Sequence, residues 1–130
     1  MLSDELKDSI REAYNAIIDS KSLTPRWGQR QMIAEIANTL ARIPTTDDPG
    51  DGSPAVCVIE AGTGTGKTIA YAVAAIPIAR ALNKRLVVAT ATIALQEQFV
   101  NKDLPDIRES SGLSFSFALA KGRRRYVCLS

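Results

Sequence analysis

The sequence predicts an α/β fold with parallel strands, and three observations carry that prediction. Short apolar runs recur at "AVCVIE" (55–60), "RLVVAT" (85–90) and "FSFALA" (115–120). Stretches with helical character separate them. A glycine-rich loop, "AGTGTGKT" (61–68), joins the first run to the helix behind it. Strand, glycine loop, helix, strand, helix, strand is the order in which parallel strands are laid down with helices covering the sheet. A strand buried on both faces reads as a continuous apolar run, as the valine-rich runs here do.

The elements follow in order. Residues 1–43 form an N-terminal helical segment. Its first helix is predicted over 3–20, with Ser3 as N-cap and Asp4 and Glu5 in the first turn, where the helix dipole favours acids. Leu6, Ile10, Ala13, Tyr14, Ile17 and Ile18 fall on one face. A second helix is predicted from about Trp27 to Arg42, with Met32, Ile33, Ile36 and Leu40 apolar and Trp27 expected to pack. "PTTDDPGDGSP" (44–54) has nothing to bury and reads as a linker or turn. Residues 55–130 make up the α/β unit. Alanine content predicts a helix from Thr68 to about Leu82, and Pro77 is expected to kink or split it. A further helix is predicted from about Ile93 to Asn101, stopping near "KDLP".

Composition narrows the function classes. At 130 residues the chain can enclose a core. No apolar run approaches the roughly 20 residues that span a membrane, and the acidic helical start does not read as a secretory signal. Cys57 and Cys128 form no disulfide framework, so a reduced, cytoplasmic setting is expected. Charge is uneven. Residues 1–60 carry 6 Lys/Arg against 10 Asp/Glu, net −4, and residues 61–130 carry 10 against 4, net +6. A basic second half suits an anionic partner.

The glycine loop explains itself by what it touches. Gly62, Gly64 and Gly66 can adopt backbone angles closed to other residues and turn main-chain N–H groups inward, with Ala61, Thr63 and Thr65 between them. The helix behind the loop adds its positive end. Lys67 would reach the β- and γ-phosphates of a nucleotide, and Thr68 would hold Mg²⁺ through its hydroxyl. This is the P-loop pattern G-x-x-x-x-G-K-[ST], except that Ala61 stands at the first glycine. The pattern announces a nucleotide and leaves the reaction open.

Three neighbouring stretches bear on the reaction. In "ATATIALQEQ" (89–98), Thr90, Thr92 and Gln98 can contact a nucleic-acid backbone, or can cap and line an ordinary helix. In "TPRWGQRQM" (24–32), Gln29 and Gln31 both offer an amide donor and acceptor suited to an adenine edge, or sit at an exposed helix start. In "KGRRRYVC" (121–128), Lys121, Arg123, Arg124 and Arg125 precede Tyr126 and Cys128, a mix that suits a phosphate backbone and a stacked base. Cys128 without CxxC spacing is a weak metal signal, and Cys57, inside an apolar run, is expected in the core.

In this order, "PRWGQRQM", "EAGTGTGKT", "TATIALQEQ" and "KGRRRYVC" resemble the start of the XPD/DinG-type iron–sulfur DNA helicases of superfamily 2, over about residues 24–130. The resemblance implies a partial RecA-like motor domain, ending where an iron–sulfur region begins. It implies ATP and Mg²⁺ as cofactors and single-stranded DNA and DNA forks as partners. Alanine is usual in that family at the place of Ala61. Gln29, rather than Gln31, falls on the family's upstream glutamine. Thr90, Thr92, Leu95 and Gln98 fall on its DNA-contacting motif, and Cys128 on the first ligand of a [4Fe-4S] cluster. The implied activity is ATP-driven 5′ to 3′ translocation and unwinding, in DNA repair or replication.

Hydrolysis also needs an acidic motif on a later strand and arginines from a second motor domain. Neither is in this sequence, so the chain alone is expected to be inactive as an ATPase and to act within a longer protein. Two alternatives stay open. One is another P-loop enzyme, although "NKDL" (101–104) puts leucine where a GTPase needs aspartate and "GRRR" is a thin substitute for a kinase lid. The other is a truncated product that only binds nucleotide or DNA.

Overall fold

A computed structural model describes residues 2–62, 66–122, 124 and 127. Helix α1 spans Asp4–Ser20, α2 Trp27–Leu40, α3 Lys67–Ala81 and α4 Ile93–Gln98; a π-helical segment, Phe99–Asp103, then runs into α5, Leu104–Ser111.

The first helix forms for the reasons its sequence gives. Ser3 is in extended backbone and its side chain accepts from Leu6 N at 3.2 Å, satisfying one of the N–H groups a helix start leaves orphaned. Ile10, Ala13, Tyr14, Ile17 and Ile18 are buried, the face that the periodicity predicts, with Leu6 partly covered beside them. Helix α2 buries Met32, Ile33 and Ala37 against the same core. The exposed stretch before the first valine run is a chain of local turns: Asp48 N donates to Thr45 Oγ1 at 3.0 Å and Gly50 N to Asp48 Oδ1 at 3.0 Å.

Helix α3 is the centre of the molecule. Ala70 and the unbroken run Ala72–Ile78 are buried. A helix apolar on every side belongs in the interior, and α3 packs against α1, α2 and α5. Pro77 neither splits it nor ends it. The proline removes one N–H from the helix ladder, but it sits among buried neighbours whose packing holds the turns on either side.

The predicted end of the next helix near "KDLP" is also overturned. The chain widens into a π-turn, in which Leu104 N bonds Phe99 O, and continues helically to Ser111. Pro105 lies in the first turn of α5, where a missing N–H costs little. Gly112 closes the helix in the left-handed conformation, φ 73°. Lys21 at the end of α1 pairs with Asp106 of α5, and Ile107 of α5 enters the common core.

The α/β class is corrected by the structure. Among the described residues there is no strand and no sheet, so the parallel-strand, RecA-like reading of 55–130 does not hold. The runs 55–60 and 85–90 lie on the surface, with Val58 91% and Val87 83% exposed. Cys57, expected in the core, is exposed as well. The physical reason is that apolar, β-branched composition favours a pleated, half-buried surface without supplying the neighbour whose N–H and C=O groups complete a ladder. The run 115–120 comes nearest to burial: Phe115 rests on the core, and the Arg108 guanidinium stands 5.1 Å from the Phe117 ring centre.

Candidate functional site

The site is built where α1, α2 and the start of α3 meet. Tyr14 and Gln29 are both buried, at 4% and 5% exposure, on the facing sides of α1 and α2. Tyr14 Oη donates to Gln29 Oε1 at 2.9 Å and accepts from Arg26 N, the residue that opens α2, at 3.3 Å. Gln29 Nε2 donates in turn to Gly66 O at 3.4 Å. A glutamine buried between three elements therefore has both ends of its amide engaged. No buried side-chain polar atom among the described residues lacks a partner.

Gly66 has to be glycine for two independent reasons. Its φ is 73° and ψ 42°, the left-handed region that side chains strain to adopt. A Cβ there would also fall inside the van der Waals envelope of Gln29 Nε2. The left-handed turn at Gly66 sends the chain directly into α3, a helix of 15 residues whose N-terminal dipole favours anions. Lys67 is the first residue of that helix and Thr68 follows; of their neighbours before the turn, Ala61 is partly buried against the core and Gly62 is exposed. Thr63, Gly64 and Thr65, the middle of the predicted cradle, lie outside the described residues.

Tyr71 stands one helical turn beyond Thr68, on the same face of α3. Its ring centre is 6.1 Å from that of Phe99, the first residue of the π-segment, at a tilt of 36°. Burial pushes the Tyr71 phenol above its ordinary 10.0. A hydrogen bond with the Thr68 side chain works in the opposite direction, and the nearby Asp103 carboxylate adds to the upward push. The Thr68 hydroxyl oxygen carries lone pairs, the kind of group that could serve as a single ligand to Mg²⁺. The described residues contain no cluster of three or more His, Cys, Asp or Glu that could hold a metal by themselves.

The second group of predicted residues lies along α4. Thr92 is the N-cap, its Oγ1 accepting from Leu95 N at 3.2 Å, so it does the capping that its sequence position allowed. Thr90 Oγ1 donates to Thr92 O at 3.4 Å. Leu95 and Gln98 are exposed. Tyr71 and Phe99 link this helical run to the start of α3. At the C-terminal end, Lys121 and Arg124 are exposed, whereas Arg123, Arg125, Tyr126 and Cys128 lie outside the described residues.

Sequence reasoning singled out Gln29, Gly66, Lys67 and Thr68, and the structure brings them together. It missed Tyr14 and Tyr71. The signal for Tyr14 was present: a tyrosine on the apolar face of a helix carries a hydroxyl that must find a partner when buried. For Tyr71 the signal was its spacing of three from Thr68. Trp27, expected to pack, is 77% exposed at the start of α2.

The chain is 43% identical, over 129 residues and 98% of its length, to the ATP-dependent DNA helicase DinG of Photobacterium profundum. It is 44% identical over 128 residues to the ATP-dependent DNA helicase DinG of Salmonella typhimurium, and 42% over 128 residues to that of Escherichia coli strain K12. It spans only 18%, 16% and 16% of the length of those three relatives. No protein-family model matches it. No helix among the described residues is long and apolar enough to cross a membrane.

Proposed function

We propose that this chain supplies the phosphate-binding segment of an ATP-dependent DNA helicase. One observation carries the reading: Gly66 turns in the left-handed region directly before Lys67 and Thr68 at the positive end of a buried 15-residue helix. The likeness to ATP-dependent DNA helicases along 98% of the chain supports it. In this reading Ala61–Gly66 wrap the nucleotide phosphates with main-chain N–H groups. Lys67 holds the β- and γ-phosphates, and Thr68 is the hydroxyl ligand of Mg²⁺, which would neutralise charge on the transferring phosphoryl group. Gln29 reads the adenine. Thr90, Thr92, Gln98, Arg123 and Arg124 hold single-stranded DNA by its backbone, so that ATP turnover drives 5′ to 3′ movement and opening of forks in the cytoplasm. Cys128 contributes one thiolate to a [4Fe-4S] cluster whose other ligands lie elsewhere, since one cysteine cannot hold a cluster that takes four.

The test is ATP hydrolysis by the full-length protein that contains this segment, with and without single-stranded DNA. DNA stimulates the wild type, and Lys67→Ala lowers the stimulated rate by about 10²-fold or more, the scale expected when a charge-stabilising donor is lost from a transition state. The same variant keeps the wild-type circular dichroism spectrum, because Lys67 stands at the open first position of α3 and outside its core-facing run. Hydrolysis at the wild-type rate in Lys67→Ala would refute the phosphate-binding role.

A further inference from the structure

We infer that Tyr14 is a specificity-determining residue for the nucleotide base, acting by fixing which way the Gln29 amide points. The inference rests on the reading of Gln29 as the adenine-contacting residue and deepens it.

An amide side chain is nearly symmetric in shape, so its oxygen and nitrogen exchange places at little steric cost. The surroundings of Gln29 remove that freedom. A backbone N–H can only donate, so the bond from Arg26 N to Tyr14 Oη occupies a lone pair of the phenol. The phenol proton is then directed to Gln29, and the atom that receives it, at 2.9 Å, must be the amide oxygen. At the other end, a backbone carbonyl can only accept, so the atom facing Gly66 O must be the amide nitrogen. The chain Arg26 N–H to Tyr14 to Gln29 Oε1, then Gln29 Nε2 to Gly66 O, is pinned at both ends by groups that cannot reverse. Flipping the amide would set Oε1 against the Gly66 carbonyl.

This matters because the amide keeps part of its capacity. Oε1 has two lone pairs and accepts one bond from Tyr14; Nε2 has two N–H groups and gives one to Gly66. One acceptor and one donor remain, in a fixed order. Adenine offers the matching order, an N6 amino donor beside the N7 acceptor. Guanine offers two acceptors, O6 and N7. An amide held in this orientation makes both bonds to adenine and only one to guanine, whereas a turned amide sets Nε2 against the N6 amino group and Oε1 against N7, losing both bonds to adenine while still making one to guanine. Tyr14 and Gln29 come from different helices and are 15 residues apart, so the orientation is a product of α1 and α2 both packing on α3. The Gly66 end ties the same amide to the phosphate loop.

The experiment is a double-mutant cycle in the full chain, reading the ratio of ATP to GTP dissociation constants with Mg²⁺. Tyr14→Phe keeps the buried ring and removes only the hydroxyl. It narrows the ATP preference by roughly 5- to 10-fold, the worth of one hydrogen bond. In a Gln29→Ala background the preference is already lost, and Tyr14→Phe changes it no further. An unchanged ATP-to-GTP ratio in Tyr14→Phe, with Gln29→Ala still abolishing the preference, overturns the role of Tyr14 and leaves the reading of Gln29 standing. A preference that survives Gln29→Ala overturns both. If Tyr14→Phe does not fold, wild-type protein with 7-deaza-ATP decides the matter. The oriented amide needs N7 as acceptor, so the analogue binds more weakly than ATP; equal binding refutes a fixed amide.

Discussion

The valine-rich runs are more apolar than helices α1 and α2, yet the helices bury one face each and the runs are exposed. Helices α1, α2 and α3 share one buried core, with Ile17 and Val73 wholly inside it. The runs 55–60 and 85–90 hold Val56, Val58, Ile59, Leu86, Val87 and Val88, all exposed. The difference lies in where the backbone hydrogen bonds come from. A helix closes its own, so an apolar face needs only a surface to lie on. An extended run closes none without a neighbour. Apolar composition therefore translates into burial directly for the helices, and only conditionally for the runs.

Paired truncations sharpen this contrast most. Ile17→Ala should cost about 2–5 kcal/mol, the usual range for emptying a filled core position. Val87→Ala removes side-chain atoms that are already in water and should stay within about 0.5 kcal/mol. Chemical denaturation of the two variants measures both. Comparable losses at the two positions would mean that the runs carry stability as the helices do.

A smaller effect is expected where the helical frame meets the loop. Gly66→Ala forces a side chain into left-handed backbone and against Gln29, and should destabilise by about 1–3 kcal/mol. Part of that loss should return in the Gln29→Ala background, where the obstructing amide is gone. Additive losses would show that backbone strain acts alone there.

The smallest effect is a titration. The Tyr71 phenol is raised above 10.0 chiefly by burial, then by Asp103, with the Thr68 bond opposing. A tyrosine that ionises later in the folded protein stabilises fully below its unfolded pKa. That contribution is lost as the pH rises through the unfolded and then the folded value. Phenolate absorbance should show a late step that Tyr71→Phe removes. Loss of a different step would misplace the burial.

The helical frame was legible in the sequence because its signals are local. Ser3, the acidic first turn and the apolar face of 6–18 predict α1 without knowledge of anything else. Gly66 made the turn into α3 legible, because the left-handed region favours glycine; Lys67 and Thr68 were singled out for their chemistry and play no part in the turn. What stayed hidden depends on pairs distant in the chain. The bonds Tyr14–Gln29 and Gln29–Gly66 span 15 and 37 residues. The sheet expectation failed for the same reason, since strand pairing is a relation between segments and composition describes only one at a time. Pro105 misled because proline ends a helix interior but is tolerated in a first turn, and the π-turn before it makes it one.

The central claim is that the helical frame presents Gly66, Lys67 and Thr68 to the phosphates of a nucleotide through Gln29. Amide NMR of the chain during titration with Mg²⁺ and ATP tests it most directly. The account predicts that the largest shifts fall on the backbone amides of Gly62, Gly66, Lys67 and Thr68 and on the Gln29 side-chain amide, while 85–89 stay still. Shifts centred instead on the groove between α1 and α2 lined by Arg11, Asn15, Arg30 and Asn38, with Gln29 and Lys67 unmoved, would contradict it.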